Sequence, residues 1–336
     1  MNKFSSKDYC LSINVKLHLD DRYSVQRLPN GITRQQAISN YLMKLNKYIV
    51  PSLQKNLSVT ERRRNDRFQY CLTVPGHWSN QAKDTMRQAA INTGLVQTIY
   101  PPHRLTLISE EEAMAIYSLH MTADDNDLEG DRFMLCHAPE GESVTLVVYE
   151  VTKSVGQTQQ LEEVARNFGP SCGSDFLAAN MERLVERKLR NYRHIITADE
   201  WEGFMATFEM SIRSTFDGVE DQFLHVDTLA ESEISDKEAG VDDEGYLVLS
   251  AAELKDDVFE PVVVDVVELI QDMLQRGGRN CKALFMLGEF GSSQYMWERI
   301  KQEFYSQIAF ISRPPRPELA ISRGAVFAGL DSYTKT

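Results

Sequence analysis

Paired cysteines are missing from this chain. Its five cysteines, Cys10, Cys71, Cys136, Cys172 and Cys281, are scattered without C-x-x-C spacing, a pattern that suggests neither a zinc site nor a disulfide framework. No apolar run reaches the roughly 18 residues of a membrane span, and the polar opening MNKFSSKDY is unlike a secretory signal. Positive charge is scarce as well. The 36 Lys and Arg against 49 Asp and Glu leave a formal net charge of −13, which argues against a nucleic-acid backbone as partner. The dense basic cluster Arg62, Arg63 and Arg64 reads as a solvated helix end. No G-x-S-x-G surrounds a serine, and no internal repeat or low-complexity tract is visible. A cytoplasmic protein with no nucleic-acid and no membrane partner is expected.

Metal sites fare no better. Asp125, Asp127, Glu129 and Gly130 stand at spacings of a calcium loop, but Cys136 falls where a bidentate Glu is required. His137 beside Cys136 has no second ligand pair, and a strand-end cysteine is usually core. No metal is expected.

What is present is α/β patterning. At 336 residues with 42% hydrophobic content, the chain exceeds the usual single-core limit, so two lobes or two domains are expected. Ile38, Tyr41, Leu42, Leu45 and Ile49 recur at helical spacing and predict a core-facing helix interrupted near Pro51. FQYCLTVP predicts a strand, Ser79 caps a helix ending at Gly94, and LTLIS with EEEAMAIYSLHM predicts strand then helix. VTLVVYEV has the composition of a buried strand, and the break Ala138 to Ser143 before it predicts a hairpin turn. Thr197 with Glu200, and Ser250 with Glu253, form capping boxes. The second is expected to open two helical segments split near Pro261. The acidic tract Glu231 to Gly245 predicts an exposed loop between strands.

Several of these segments, in order, resemble the nucleotide-binding region of the seventy-kilodalton heat-shock chaperones and their divergent relatives in the actin-like ATPase superfamily. LTVPGHWSNQAKDTMRQAAINTGL is similar to the family's T-V-P segment, and LISEEEAMAIY to its S-E-P-E-A-A crossover helix, with Glu111 at the proline. GPSCGSDFLAANMERL, EMSIRSTF, LGEFGSSQY and PELAISRGAVFAGL resemble its later motifs. The match runs from about Arg27 to Leu330. It implies a two-lobed actin-like, ribonuclease-H-like fold: residues 1–119 a remnant of lobe I with the crossover helix, 120–313 lobe II, and 314–336 a closing helix returning to lobe I.

The resemblance also implies where nucleotide chemistry would sit, and there the chain departs from its family. The phosphate hairpin D-x-G-G-G-T-V-D falls on Ala138, Glu140, Gly141, Glu142, Ser143 and Thr145, so both aspartates and two glycines are gone. The opening D-x-G-T-T is absent between Met1 and Asp20. Gly141 and Ser143 remain as candidate phosphate-side residues, Glu209, Arg213, Gly288, Gly291 and Ser292 as candidate adenosine-side residues, and Glu110 and Lys16 as candidate catalytic ones. The expectation is a pseudo-ATPase without Mg²⁺-dependent hydrolysis, acting as a chaperone-like interaction module. It would meet a protein partner or itself through the incomplete lobe I. The alternative is a switch that binds ATP or ADP weakly through the adenosine side.

Overall fold

A computed structural model describes residues 31–55, 68–93, 104–122, 128–141, 143–155, 158–170, 172–277 and 280–334. The architecture is α/β, in two compact units: Met1–Ile116 with Ile321–Thr336, and Tyr117–Ala320. Among the described residues no helix is long and apolar enough to cross a membrane.

In the first unit, β1 (Tyr70–Val74) and β2 (Leu105–Ser109) pair in parallel, with Tyr70 opposite Leu105 and Val74 opposite Ser109. A parallel pair needs a crossover, and α2 (Asn80–Asn92) lies within it, its first turn satisfied by Ser79, whose Oγ accepts from the Ala82 N–H. Ile38 and Leu42 of α1 (Arg34–Lys55) share a small core with Trp78, Ala82, Met86 and Leu105. A second cluster joins Ile108 of β2 and Ala113 of α3 (Glu110–Met121) to Ala325 of α9 (Ala320–Thr334). There the helices touch backbone to backbone, since a Cβ on Gly324 would fall 1.8 Å from the Ala113 carbonyl oxygen.

The expectation for α1 needs correction twice. The helix passes through Pro51 and continues to Lys55, because a proline near an exposed helix end loses one hydrogen bond whose carbonyl water can satisfy. Nor is the whole apolar arc core-facing. Ile38 and Leu42 are buried, but Tyr41, Leu45 and Ile49 are 47%, 39% and 44% exposed. The periodicity set the arc correctly, and the core beneath it covers only the first half of the helix.

The second unit holds a five-stranded sheet in the order β5-β4-β3-β8-β9, made of β3 (Arg132–His137), β4 (Val144–Val155), β5 (Thr158–Gly169), β8 (Cys281–Leu287) and β9 (Phe310–Ser312). β4 runs antiparallel to both neighbours, whereas β3, β8 and β9 are mutually parallel. Both faces of the centre are buried. Met134, Cys136, Leu146 and Val148 join the main core, and on the other face Phe133 packs against Tyr149 and Phe285 with ring centroids 5.8 and 5.6 Å apart. β6 (Gln222–His225) and β7 (Tyr246–Leu249) form a separate antiparallel pair.

Both capping boxes form, and each is followed by a π-helical turn that the sequence did not signal. α4 (Ser174–Lys188) precedes α5 (Ala198–Thr207), which runs on through a π turn at Phe208–Ile212 to Thr215. Ser250 opens a helix that passes through a π turn at Leu254–Phe259 directly into α7 (Glu260–Arg276), so Pro261 does not split it. The wider turn before Pro261 relieves the clash its ring would make in a regular helix. The acidic tract is likewise more ordered than a solvated loop. It contains the end of α6 (Asp227–Glu231), a bridge of Asp236 with Val241, and a fully enclosed Val241 side chain. Its carboxylates turn back onto backbone amides, as Asp236 does on Glu238 and Ala239, which frees the intervening apolar residues to face inward.

Candidate functional site

The turn leaving β3 is tied to the turn leaving β8. The Ala138 N–H donates to the Leu287 carbonyl at 2.9 Å, and the Ala138 carbonyl accepts from the N–H groups of Phe290 and Gly291 at 3.0 and 3.1 Å. This closeness explains Gly288. Its φ is +89°, and a Cβ would fall 2.3 Å from the Ala138 oxygen, so conformation and space both require glycine. Its N–H donates to Pro317 at 3.1 Å. Ser292 is engaged locally, its hydroxyl donating to the Glu289 carbonyl and its own carbonyl accepting from Arg313. Ser293 then caps α8 (Gln294–Phe304).

Gly141 sits at φ +123°. Its N–H donates to Ser174 Oγ at 3.2 Å and its carbonyl accepts from the Asp175 N–H at 3.1 Å, so the turn leans on the start of α4. Ser143 is half-buried just before β4, and Glu142 lies outside the described residues.

The charged part of the site is a triad. Arg213 donates to the Glu140 carboxylate at 3.0 Å and pairs with Glu209 one turn earlier. Arg213 is largely enclosed, with 11% of its side chain exposed against 67% for Glu140. The π turn at Phe208–Ile212 ends where Arg213 begins, and the extra residue per turn resets the face on which the arginine emerges. Burial pushes the Glu209 carboxyl above its ordinary range, opposed by Arg213 and reinforced by the charges of Glu140 and Asp175. The guanidinium is thus spent on two carboxylates of its own unit.

The fold therefore gathers two groups of the predicted residues: Glu209 and Arg213, joined by Glu140, and Gly288 and Gly291, joined by Ala138. Ser292 lies beside the second group. Glu110 begins α3 in the first unit. Its neighbour Glu111 is the carboxylate given a structural task there, buried and accepting the Gly76 N–H at 3.0 Å. Glu112 is held above its ordinary range by burial, against a backbone hydrogen bond at Ser109 and the charge of Lys83. Lys16 lies outside the described residues. Cys136 is enclosed in β3, and burial raises its thiol far above the reactive range. Among the described residues no three His, Cys, Asp or Glu side chains could share a metal.

The ion pair of Glu140 with Arg213 was missed in the sequence, where Glu140 counts only as a charge intruding on a phosphate loop. The partners are 73 positions apart, and no local pattern joins them. No protein-family model matches the chain, and no curated protein matches it at a significant level.

Proposed function

We propose that the chain has the two-lobed actin-like fold of the seventy-kilodalton chaperone family with its nucleotide chemistry lost, and that it works as a cytoplasmic protein-interaction module. Three features support the ancestry: the sheet order with β4 alone antiparallel, the hairpin turn bonded to the β8 turn, and helices returning between β5 and β8. The loss of chemistry rests on one observation, the triad Glu140–Arg213–Glu209. An arginine able to stack on a base is held by two acids, and Glu140 stands where a triphosphate would need neutral backbone amides. At about 4 Å and an effective dielectric near 20, each like-charge contact with a phosphate would cost about 4 kcal/mol.

Calorimetry with ATP and ADP, with and without Mg²⁺, is expected to give no saturable heat at millimolar nucleotide, and single-turnover assays no hydrolysis. Hydrolysis that disappears in Glu110→Ala would overturn the proposal. A weak ADP-binding switch has one observation in its favour, the joining of the turns after β3 and β8, which brings Ala138, Gly288 and Gly291 together. Protection of the Gly288 and Arg213 amides from hydrogen exchange by ADP would decide for it.

A further inference from the structure

α1 carries Arg34, Lys44, Lys47 and Lys55 and no acidic residue, within a chain of net charge −13. At 3.6 residues per turn, Ile38, Leu42, Leu45, Ile49 and Leu53 lie on one arc, Lys44 and Lys47 lie off it, and Tyr41 and Tyr48 fall at the seam. The first half of the arc is buried on the core of its unit. The second half overhangs it, with Leu53 47% and Tyr48 75% exposed.

We propose that this overhanging half of α1 is a binding surface for an anionic lipid bilayer, lying in the interface with Leu45, Ile49 and Leu53 inward. Its chemistry is that of an interfacial helix: an apolar arc, a basic face opposite it, and amphipathic aromatics at the seam between them. The lack of any carboxylate on 22 residues favours lipid headgroups over a protein groove, because a helix docking on a protein tolerates acids at its rim while an anionic surface repels each one. The chain's remaining negative charge does not forbid this. Screening over about 8 Å at physiological salt confines the interaction to charges near the surface. Binding is therefore peripheral and salt-sensitive, and it is independent of nucleotide.

The test is flotation of the full chain with phosphatidylcholine vesicles, with and without phosphatidylserine, at low and high salt. The chain is expected to float with the anionic vesicles at low salt and remain behind with the neutral ones. Leu45→Glu/Ile49→Glu should abolish flotation, and Lys44→Ala/Lys47→Ala should weaken it up to about thirtyfold, roughly fivefold for each lysine near the surface. All four sites are exposed, so unchanged circular dichroism and melting of the variants accompany a valid result. Equal flotation with both vesicle types, or undiminished flotation of the Leu45/Ile49 variant, overturns the proposal. So does a chain that ignores vesicles but sediments as a dimer which Leu45→Glu/Ile49→Glu makes monomeric, since the face would then belong to a second copy.

Discussion

The two units use the same kind of amphipathic pattern with unequal results. Tyr117–Ala320 encloses both faces of its central strands, and one large cluster of its buried residues runs from Met134 to Ile308. Among its described residues the other unit has two parallel strands and two small buried clusters, around Trp78 and around Ala113. Its longest described helix, α1, leaves Leu45, Ile49 and Leu53 of its apolar arc exposed. An apolar period identifies the side of a helix that avoids water, and the number of neighbouring strands and helices decides whether that side is covered.

The contrast can be broken most sharply in the larger unit. Phe259 is fully buried against Phe208, Phe216 and Tyr295, so Phe259→Ala should cost about 3–5 kcal/mol, read as a lower denaturant midpoint. If the loss is under about 1 kcal/mol, the cluster is not the cooperative core described. In the smaller unit, Gly324→Val drives a side chain into the Ala113 carbonyl and should cost about 3 kcal/mol. Hydrogen exchange should show the loss in α3 and α9 while β3 and β4 stay protected.

Arg213→Ala leaves Glu140 and Glu209 facing each other without their cation, at a cost of about 1–3 kcal/mol near neutral pH. Because the Glu209 carboxyl is raised in the folded protein, the native state holds its proton more tightly than the unfolded chain. Its contribution is fully present below its unfolded pKa and is lost as pH rises through the folded value. The variant should therefore recover part of its deficit on mild acidification, and a deficit independent of pH would argue against the triad.

Glu200 has the opposite sign. Despite partial burial that would raise it, hydrogen bonds from Thr228 and Thr197 bring its carboxyl from the ordinary 4.5 down to about 2, so its stabilisation is present above about pH 4.5 and lost as pH falls toward 2. Glu200→Gln should lower stability at pH 7 by about 1 kcal/mol and flatten the acid limb of the stability profile. The smallest effect belongs to Tyr48→Ser, within about 0.5 kcal/mol for a side chain 75% exposed. A larger loss would mean that the overhanging arc is covered after all.

Much of the α/β order was legible in the sequence because its signals are local. Ser79 fixed the start of α2, and the proline after Val74 fixed the end of β1. VTLVVYEV announced a buried strand by composition, and the two capping boxes could be read from spacings of three. The π turns were not legible: Phe208–Ile212 and Leu254–Phe259 have ordinary helical sequences, and the extra residue in the turn is imposed by packing. Pro51 and Pro261 misled because a proline's cost depends on whether its turn is regular, exposed or near an end. In the candidate site, Gly288 could be singled out from the sequence, but the reason for it, the Ala138 carbonyl 2.3 Å from a would-be Cβ, belongs to another strand.

The sequence by itself determined the capped helix starts, the buried strands and the hairpin whose turn has a single described glycine at positive φ, Gly141, since these depend on residues within a few positions of each other. Tertiary structure alone decided that Arg213 would be claimed by Glu140 from the turn after β3, that Glu111 would be the buried acid of its helix, and that Leu45, Ile49 and Leu53 of α1 would remain exposed. Each depends on a neighbour distant in the chain, and the free energy of an ion pair, a buried carboxylate or an apolar face is set by what stands opposite it.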